Sequence, residues 1–166
     1  MRAMGFFNRL KKAFGKTGVE LKYTWIEDPL NFTDPMVKAT VTVTATDGEV
    51  TVLGTSAKLV ARRKNGDEEQ QITLGEVSEE ADPNYTTDRN GKSVPVYPHT
   101  LQTGESEGFG IFLDGLDLTT SLADWGVSDA ESARAKGVEI DFITEVDIKE
   151  TNFMFDPNVK QTIGLS

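Results

Sequence analysis

The chain is notable first for the residue types it lacks. None of its 166 residues is cysteine, which excludes disulfides, thiolate nucleophiles and zinc sites built on sulfur. The single histidine, His99, is too little for a typical transition-metal centre, so we predict no metal site. No run of eighteen apolar residues occurs, and no secretory signal is recognisable, so we expect no transmembrane helix and no export. These absences favour a cytoplasmic protein.

Catalytic motifs are also scarce. Residues 104–108 read GESEG and match the nucleophile elbow G-x-S-x-G, but a strand pattern follows where that motif needs a helix. Asp141, Glu145 and Asp147 alternate along one predicted strand, where carboxylates more often form a solvated outer face than a glycosidase pair. No phosphate-binding or dinucleotide-binding glycine pattern is present. We therefore predict no catalytic residue, no cofactor and no enzymatic activity.

Positive charge is concentrated at one end of the chain. Residues 1–16 read MRAMGFFNRLKKAFGK and contain five bases and no acid. The remaining residues hold 12 bases against 27 acids, a formal charge of −15. The apolar residues of 1–16 repeat at helical spacing, so this segment is predicted to form a basic amphipathic helix. The acidic body should repel nucleic acid, so we expect no DNA or RNA partner.

The predicted helix carries both apolar and basic contact residues. Seven of them are candidates for contact with a protein partner or a membrane: Phe7, Arg9, Leu10, Lys11, Lys12, Phe14 and Lys16. Such a helix can lie on an anionic membrane surface, fill a groove of another protein, or cover an open edge of its own domain. These three alternatives stay open, and the protein partner is unidentified.

After residue 16 the apolar pattern changes from a helical to a twofold period. Residues 19–25 alternate so that Tyr23 and Trp25 are predicted to face inward. Residues 36–45 alternate between inward valine or alanine and outward threonine, and Asp47-Gly48 then predicts a tight turn. About eight such short strands joined by turns are typical of an antiparallel β-sandwich.

We predict that residues 17–166 form a single domain with one helical insertion, because no linker divides them. The insertion covers residues 117–136, where Ser128 and Glu131 have the spacing of a capping box and Gly137 is expected to end the helix. Gly54 interrupts a long strand and indicates a bulge.

Two further stretches are predicted to lie at the surface. Residues 78–93 are polar and rich in turn formers, which indicates a mobile loop. Residues 93–102 contain two prolines and fit an edge strand or an extended segment rather than a central strand, and such an edge could be joined by a partner strand or a second copy of the chain.

A ligand-binding sandwich, for carbohydrate or calcium, is the alternative class. Four aromatic residues are candidates for lining a sugar site: Trp25, Tyr85, Tyr97 and Trp125. Three acids near the insertion are candidates for calcium: Asp114, Asp117 and Asp124. Residues 88–91 resemble the middle of an EF-hand loop, but the bidentate glutamate of that loop is missing.

Four segments together resemble the arrestin-like domain of bacterial sporulation-control proteins. They read GFFNRLKKAFGKTGVELKYTW, VKATVTVTATDGEVTVLGTSAKLVAR, YPHTLQTGESEGFGIFL and VEIDFITEVDIKETNFMFDPNVKQTI. The second segment is similar to a pair of strands that form a hairpin in that family. The resemblance implies an arrestin-like, immunoglobulin-type sandwich without enzymatic activity. It also implies a regulatory or scaffolding role through protein contacts, near the cytoplasmic membrane.

The interaction hypothesis predicts the hydrogen-exchange behaviour of residues 1–16. We expect rapid exchange in the isolated protein, slowed by anionic vesicles if the partner is a membrane and unchanged by them if it is a protein groove. Each base near an anionic surface contributes about 1 kcal/mol. Strong protection without vesicles, or full partner and vesicle binding after deletion of 1–16, would contradict the hypothesis.

Overall fold

The computed structural model describes residues 18–78, 85–150 and 156–166. The predicted N-terminal helix and its seven contact residues lie outside these ranges, so that prediction stands untested. Ten strands form in the described ranges: β1 Val19–Ile26, β2 Val37–Ala45, β3 Val50–Asn65, β4 Glu68–Ser78, β5 Tyr85–Thr87, β6 Ser93–Pro95, β7 His99–Leu101, β8 Ser106–Leu113, β9 Glu139–Ile148 and β10 Asn158–Ile163.

The strands form an antiparallel sandwich, as predicted. One sheet has the order β1-β2-β8. The larger sheet has the order β10-β9-β3-β4, and β7 pairs with the first residues of β3. Strands β5 and β6 pair only with each other among the described strands. The two main sheets face each other across one apolar core.

The core follows from the twofold alternation of the central strands. In β2 the inward residues Val37, Val41 and Val43 are completely buried, whereas the threonines between them face outward, as predicted. Phe109 of β8 and Phe142 of β9 are the largest of the fully buried side chains. Removing this apolar surface from water is the main stabilising term of such a domain.

The connection between β2 and β3 is a turn, but the two strands are not a hairpin. Gly48 adopts a left-handed φ of +90°, in agreement with the tight turn predicted at Asp47-Gly48. However, β2 pairs with β1 and β8, whereas β3 pairs with β4, β7 and β9. The paired-strand interpretation of this segment was therefore wrong, because the turn carries the chain from one sheet to the other.

A bulge in β1 reverses the orientation of its last side chains. Tyr23 pairs with Val41 and Trp25 with Thr40, so Thr24 is the extra residue. Trp25 consequently lies on the outer face with 52% of its surface exposed. The prediction that Trp25 faces inward was wrong, because one inserted residue reverses the side-chain parity of a strand. The irregularity predicted at Gly54 is confirmed in the pairing of β3 with β9.

The first of the two surface stretches contains more regular structure than expected. Within residues 78–93, β5 pairs with β6, and the Asp88 carboxylate accepts hydrogen bonds from the backbone of Asn90 and Lys92. The mobile-loop prediction was wrong for this part, because an Asx-type turn closes a hairpin. Residues 93–102 form two three-residue strands, β6 and β7, rather than one, and each pairs with a single neighbour among the described strands, which agrees with the prediction of an edge rather than a central strand.

The helical insertion is present between β8 and β9. It contains α1 (Leu118–Ser121), a 3-10 turn (Ala123–Trp125) and α2 (Ala130–Ala135). Asp129, rather than Ser128, caps α2, with Ser132 completing the capping box in place of Glu131. Gly137 follows α2 with a left-handed φ of +69°, as predicted. Within the described residues, none of these helices has the length and apolar character needed to cross a membrane.

One hydroxyl joins the two sheets near the β1 side of the sandwich. The Tyr23 hydroxyl lies 2.6 Å from Oγ1 of Thr144, and it also donates to the Phe142 and Val159 carbonyl oxygens at 3.3 Å. Burial raises the pKa of Tyr23 to about 12, although the hydrogen bond with Thr144 acts in the opposite direction. The hydroxyl therefore remains protonated throughout the neutral range.

Replacing Tyr23 with phenylalanine should destabilise the domain by about 1 kcal/mol, because Thr144 and two carbonyl groups lose a partner. The wild type should lose stability as the pH rises from 10 toward 12, since the unfolded tyrosine ionises first. Tyr23→Phe should lack this component in urea unfolding followed by circular dichroism. Tyr85→Phe is the control, because Tyr85 is 68% exposed. Equal effects of the two substitutions would contradict the inter-sheet role.

Candidate interaction site at the free edge of the three-stranded sheet

Among the strands of residues 18–78, 85–150 and 156–166, β8 lies at an edge of the smaller sheet and pairs with β2 alone. Just before it, the Ala45 N–H donates to the Glu105 carbonyl, so the C=O group of residue 105 points toward β2, whereas its N–H donates to the Gln102 carbonyl. Backbone groups alternate in direction along an antiparallel strand. Four residues of β8 therefore direct their N–H and C=O groups away from β2: Ser106, Gly108, Gly110 and Phe112. We call these four residues the β8 edge.

The pairing of β2 with its other neighbour supports this assignment. The Thr46 N–H donates to the Gly18 carbonyl, and the Lys38 carbonyl accepts from the Glu27 N–H. Even-numbered residues of β2 therefore bond toward β1 and odd-numbered ones toward β8. The same parity leaves the even-numbered residues of β8 facing outward.

The β8 edge carries few of the features that prevent an edge strand from pairing, and Glu107 is the one charged residue of the strand. Natural edges are protected by bulges, lysine, proline or short length. Strand β1 has its bulge at Thr24, β4 has a register shift opposite Leu59 and Val60, and the short β10 contains Lys160. In contrast, β8 keeps continuous register with β2 over eight residue pairs and contains neither lysine nor proline. Of the four edge strands β1, β4, β8 and β10, β8 is the one with an uninterrupted register and neither lysine nor proline.

The outer face beside this edge has an unfilled position at Gly110. A Cβ atom added at Gly110 would meet no atom of the described residues within 4 Å, whereas one at Gly108 would lie 3.1 Å from the Thr40 methyl group. The two glycines thus differ, although both face outward on the same strand. The surface above Gly110 is open, and the Thr40 side chain partly fills the space above Gly108.

Two exposed rings and one lysine border the open position. Trp25, Thr40 and Gly110 follow each other across the three strands, and Lys38 is paired with Phe112 in the next row. Phe112 is 42% exposed, and the Lys38 ammonium lies 5.6 Å from its ring centroid, within cation–π range. We call these five residues the outer platform.

Lys38 forms no ion pair with any residue of the described ranges, in which three such pairs occur. Its ammonium group therefore extends over Phe112 toward the β8 edge without an acidic partner there. A surface that combines an unpaired cation, an exposed ring and free backbone donors suits recognition of an extended peptide better than chemistry on a small molecule.

The four aromatic candidates for a sugar site are not brought together. Tyr97 is buried, stacks on Phe109 and shares a 3.0 Å hydrogen bond with Thr55. Trp125 is also buried, and the Arg63 guanidinium lies 4.5 Å from its ring centroid. The prediction that these two residues line a surface site was wrong, because their rings complete the core. Of the four candidates, only Trp25 and Tyr85 are exposed.

Asp141 is not the solvated outer-face residue that was predicted. It is 3% exposed, accepts a 2.6 Å hydrogen bond from Arg62 Nε, and accepts another of 2.6 Å from the Thr162 hydroxyl. Burial acts to raise its pKa, but the hydrogen bonds from Arg62 and Thr162 outweigh burial and lower the pKa. Arg62 also pairs with Glu139. Asp141 therefore stabilises the larger sheet.

The acids proposed for calcium have other contacts or stay apart. The Asp117 carboxylate accepts from the Thr120 backbone N–H and hydroxyl, which lowers the pKa of Asp117 and caps α1. Across the described ranges no three histidine, cysteine, aspartate or glutamate side chains gather in a way that could hold a metal ion. The structure thus adds no support for a calcium site in these residues.

Lys38, Gly110 and Phe112 were missed as functional candidates from the sequence. The detectable signal was two glycines at twofold spacing, followed by an outward phenylalanine, in a strand whose other face is apolar. Glycine weakens a strand interior and often marks a close approach of another chain. That signal did not show that β8 is an edge strand, since pairing order is a tertiary property.

Fold and candidate site together define an antiparallel β-sandwich with a regular edge strand. No protein-family model and no curated protein sequence matches the chain. Among solved structures, the chain is similar to Spo0M, a sporulation control protein from Bacillus subtilis, with a TM-score of 0.56 and 16% sequence identity. The match covers 89% of this chain and 49% of that one, so this chain spans about half of its length.

Two other solved structures are more distant. A protein from Archaeoglobus fulgidus has a TM-score of 0.40 and 15% identity, with 87% of this chain and 90% of that one covered. A putative late embryogenesis abundant protein has a TM-score of 0.39 and 11% identity, with 98% and 76% covered. At such identities the likeness to Spo0M concerns the fold alone, and the two weaker matches carry no argument.

The difference between the two outward glycines is testable by stability measurements. Gly110→Val should raise the free energy of unfolding by about 0.5–1 kcal/mol, because valine favours strands and meets no neighbour there. Gly108→Val is the matched control and should give less or no gain, since its Cβ would crowd Thr40. Urea unfolding of both variants measures the difference. Equal gains would contradict an open position specific to Gly110.

Proposed function

We propose that this protein is a non-enzymatic regulatory or scaffolding module that binds an extended segment of a protein partner at the β8 edge. The observation that carries the proposal is the row of four outward-facing backbone units in a strand of continuous register. Strand addition satisfies such units with main-chain hydrogen bonds, while neighbouring side chains provide specificity.

The composition of β8 agrees with this role. Its inward residues Phe109, Ile111 and Leu113 are buried in the core, so the strand is held in place before any partner arrives. A rigid edge reduces the ordering cost of binding to that of the incoming segment alone. The two outward glycines let another backbone and its side chains approach closely.

We further propose that the domain belongs with the arrestin-like sandwiches of sporulation-control proteins. Two independent observations support this: the resemblance of four sequence segments and the structural likeness to Spo0M over most of this chain. A role in regulation through protein contacts is consistent with that class. Spo0M is about twice as long as this chain, so the proposal does not extend to any function that depends on the half of Spo0M outside the match.

Residues 1–16 are proposed to add a second contact. Their five bases contrast with the −15 charge of the other residues, which favours attraction to an anionic membrane or an acidic protein groove. In that arrangement the N-terminal segment would bring a cytoplasmic domain to a membrane surface, and the β8 edge would bind the protein partner.

Sugar binding is the second candidate function, because Trp25 and Phe112 expose aromatic rings on a flat sheet face. A glycan array probed with wild-type protein and with Trp25→Ala tests it. Binding that disappears in the variant would favour the sugar candidate over strand addition.

Strand addition predicts a sharp effect of proline at the β8 edge. We would select a random-peptide phage library on the full-length protein and measure the affinity of the selected peptides by calorimetry. Gly110→Pro should weaken them at least about tenfold, because it removes an outward N–H and obstructs the incoming strand. Gly110→Ala, which retains the N–H, is the matched control and should bind within about twofold of wild type.

Two results would overturn the proposal. The first is selected peptides that bind Gly110→Pro and Gly110→Ala equally well. The second is failure to select any peptide together with a dimer that Gly110→Pro converts to a monomer in analytical ultracentrifugation, since the edge would then serve a second copy of the chain. In both experiments circular dichroism confirms that the variants are folded.

A further inference from the structure

A strand bound at the β8 edge would place one of its residues directly opposite Gly110. Neighbouring strands lie about 4.8 Å apart, and opposite residues project from the same face. On the other side of Gly110 the neighbour is Thr40, whose side chain leaves the position above Gly110 open. An aromatic side chain from the incoming strand can lie across an edge glycine and cover its exposed backbone. No residue of the described chain does so at Gly110.

The next outward position of the incoming strand would lie opposite Phe112. There the Lys38 ammonium group lies 5.6 Å from the centroid of the Phe112 ring, so its positive charge lies near the free edge. Lys38 has no acidic partner in the described ranges. A carboxylate opposite Phe112 would approach this cation across a half-exposed ring. Charge complementarity therefore favours an acidic residue at this position.

We infer that the segment recognised at the β8 edge carries an acidic residue opposite Phe112 and an aromatic residue opposite Gly110, two positions apart on one face. Every strand pairing of the two main sheets is antiparallel, and an antiparallel addition gives the order acidic-x-aromatic along the partner. This inference rests on the proposed function, whose partner it specifies.

The size of the outer platform limits what the aromatic residue can touch. It would cover Gly110, contact Thr40 and lie beside Phe112, while Trp25 bounds the row on the far side of Thr40. Aromatic pairs and cross-strand pairs of this kind change affinity by up to about fivefold each, enough for discrimination but not for binding without the backbone hydrogen bonds. We therefore expect a small preference for the favoured residue at each of the two positions, and the two preferences should add in the binding free energy.

The test uses synthetic peptides and substitutions of exposed residues in the full-length chain. The reference peptide has the sequence GSTVEVFVTSG, a second has lysine in place of glutamate, and a third has threonine in place of phenylalanine. Wild-type protein should bind the reference about fivefold more tightly than either variant peptide in fluorescence polarisation. Lys38→Glu should reverse the preference between glutamate and lysine, and Lys38→Met should remove it.

Gly110→Val tests the aromatic position without removing any backbone donor. Its side chain would fill the open surface, so the preference for phenylalanine over threonine should disappear while the preference for glutamate remains. Gly108→Val is the matched control and should keep both preferences, because that position is already partly covered by Thr40.

The outcomes separate this inference from the proposed function. If all three peptides bind equally and Gly110→Pro abolishes their binding, strand addition stands and the acidic-x-aromatic preference is wrong. If the peptides bind but Gly110→Pro has no effect, the edge is not the binding site and both proposals fail. Absence of binding by all three peptides, when library-selected peptides do bind, also overturns the preference.

Discussion

The packing of two apolar sheet faces against each other is the constraint on which the rest of this structure depends. Phe109 and Phe142 come from different sheets and are almost completely buried, together with the inward residues of β2 and β3. Burial fixes the register of each strand, because a slip by one residue would turn its apolar side chains to water. Once register is fixed, the identity and direction of every outward residue are fixed as well.

The β1 side and the β8 side of the smaller sheet differ in how they contact the rest of the domain, and the candidate site lies on the β8 side. Near β1, the Tyr23 hydroxyl joins the smaller sheet to Phe142, Thr144 and Val159 of the larger one. At the opposite edge, β8 ends the smaller sheet with a regular row of outward backbone groups. An antiparallel sandwich that does not close into a barrel must have edges, and most of them carry protective features. The β8 edge instead contains two glycines, and no described strand pairs with it on its outer side.

Small departures from regular geometry decide which side chains are available at the surface. The one-residue bulge at Thr24 moves Trp25 from the core side to the outer platform. Conversely, the pairing of Asp141 with Arg62 and Thr162 withdraws a carboxylate from solvent on a face that would otherwise be wet. In both cases the local sequence predicts the wrong exposure: an apolar Trp25 is expected inside and a charged Asp141 outside. The sequence pattern gives only the residue type and not the residues that pack against it.

The local pattern of the chain was sufficient for the seven strands of six or more residues, the turn at Gly48, the irregularity at Gly54 and the class of antiparallel sandwich, because periodicity and turn propensity act over a few residues, but it missed the short strand β5. It also identified the helical insertion, although with Ser128 in place of Asp129 as the cap. Only the tertiary structure decided that β2 and β3 belong to different sheets, that Trp125 and Tyr97 complete the core, and that β8 is an edge. Strand order and the filling of a core depend on contacts between residues far apart in sequence, which no local pattern encodes.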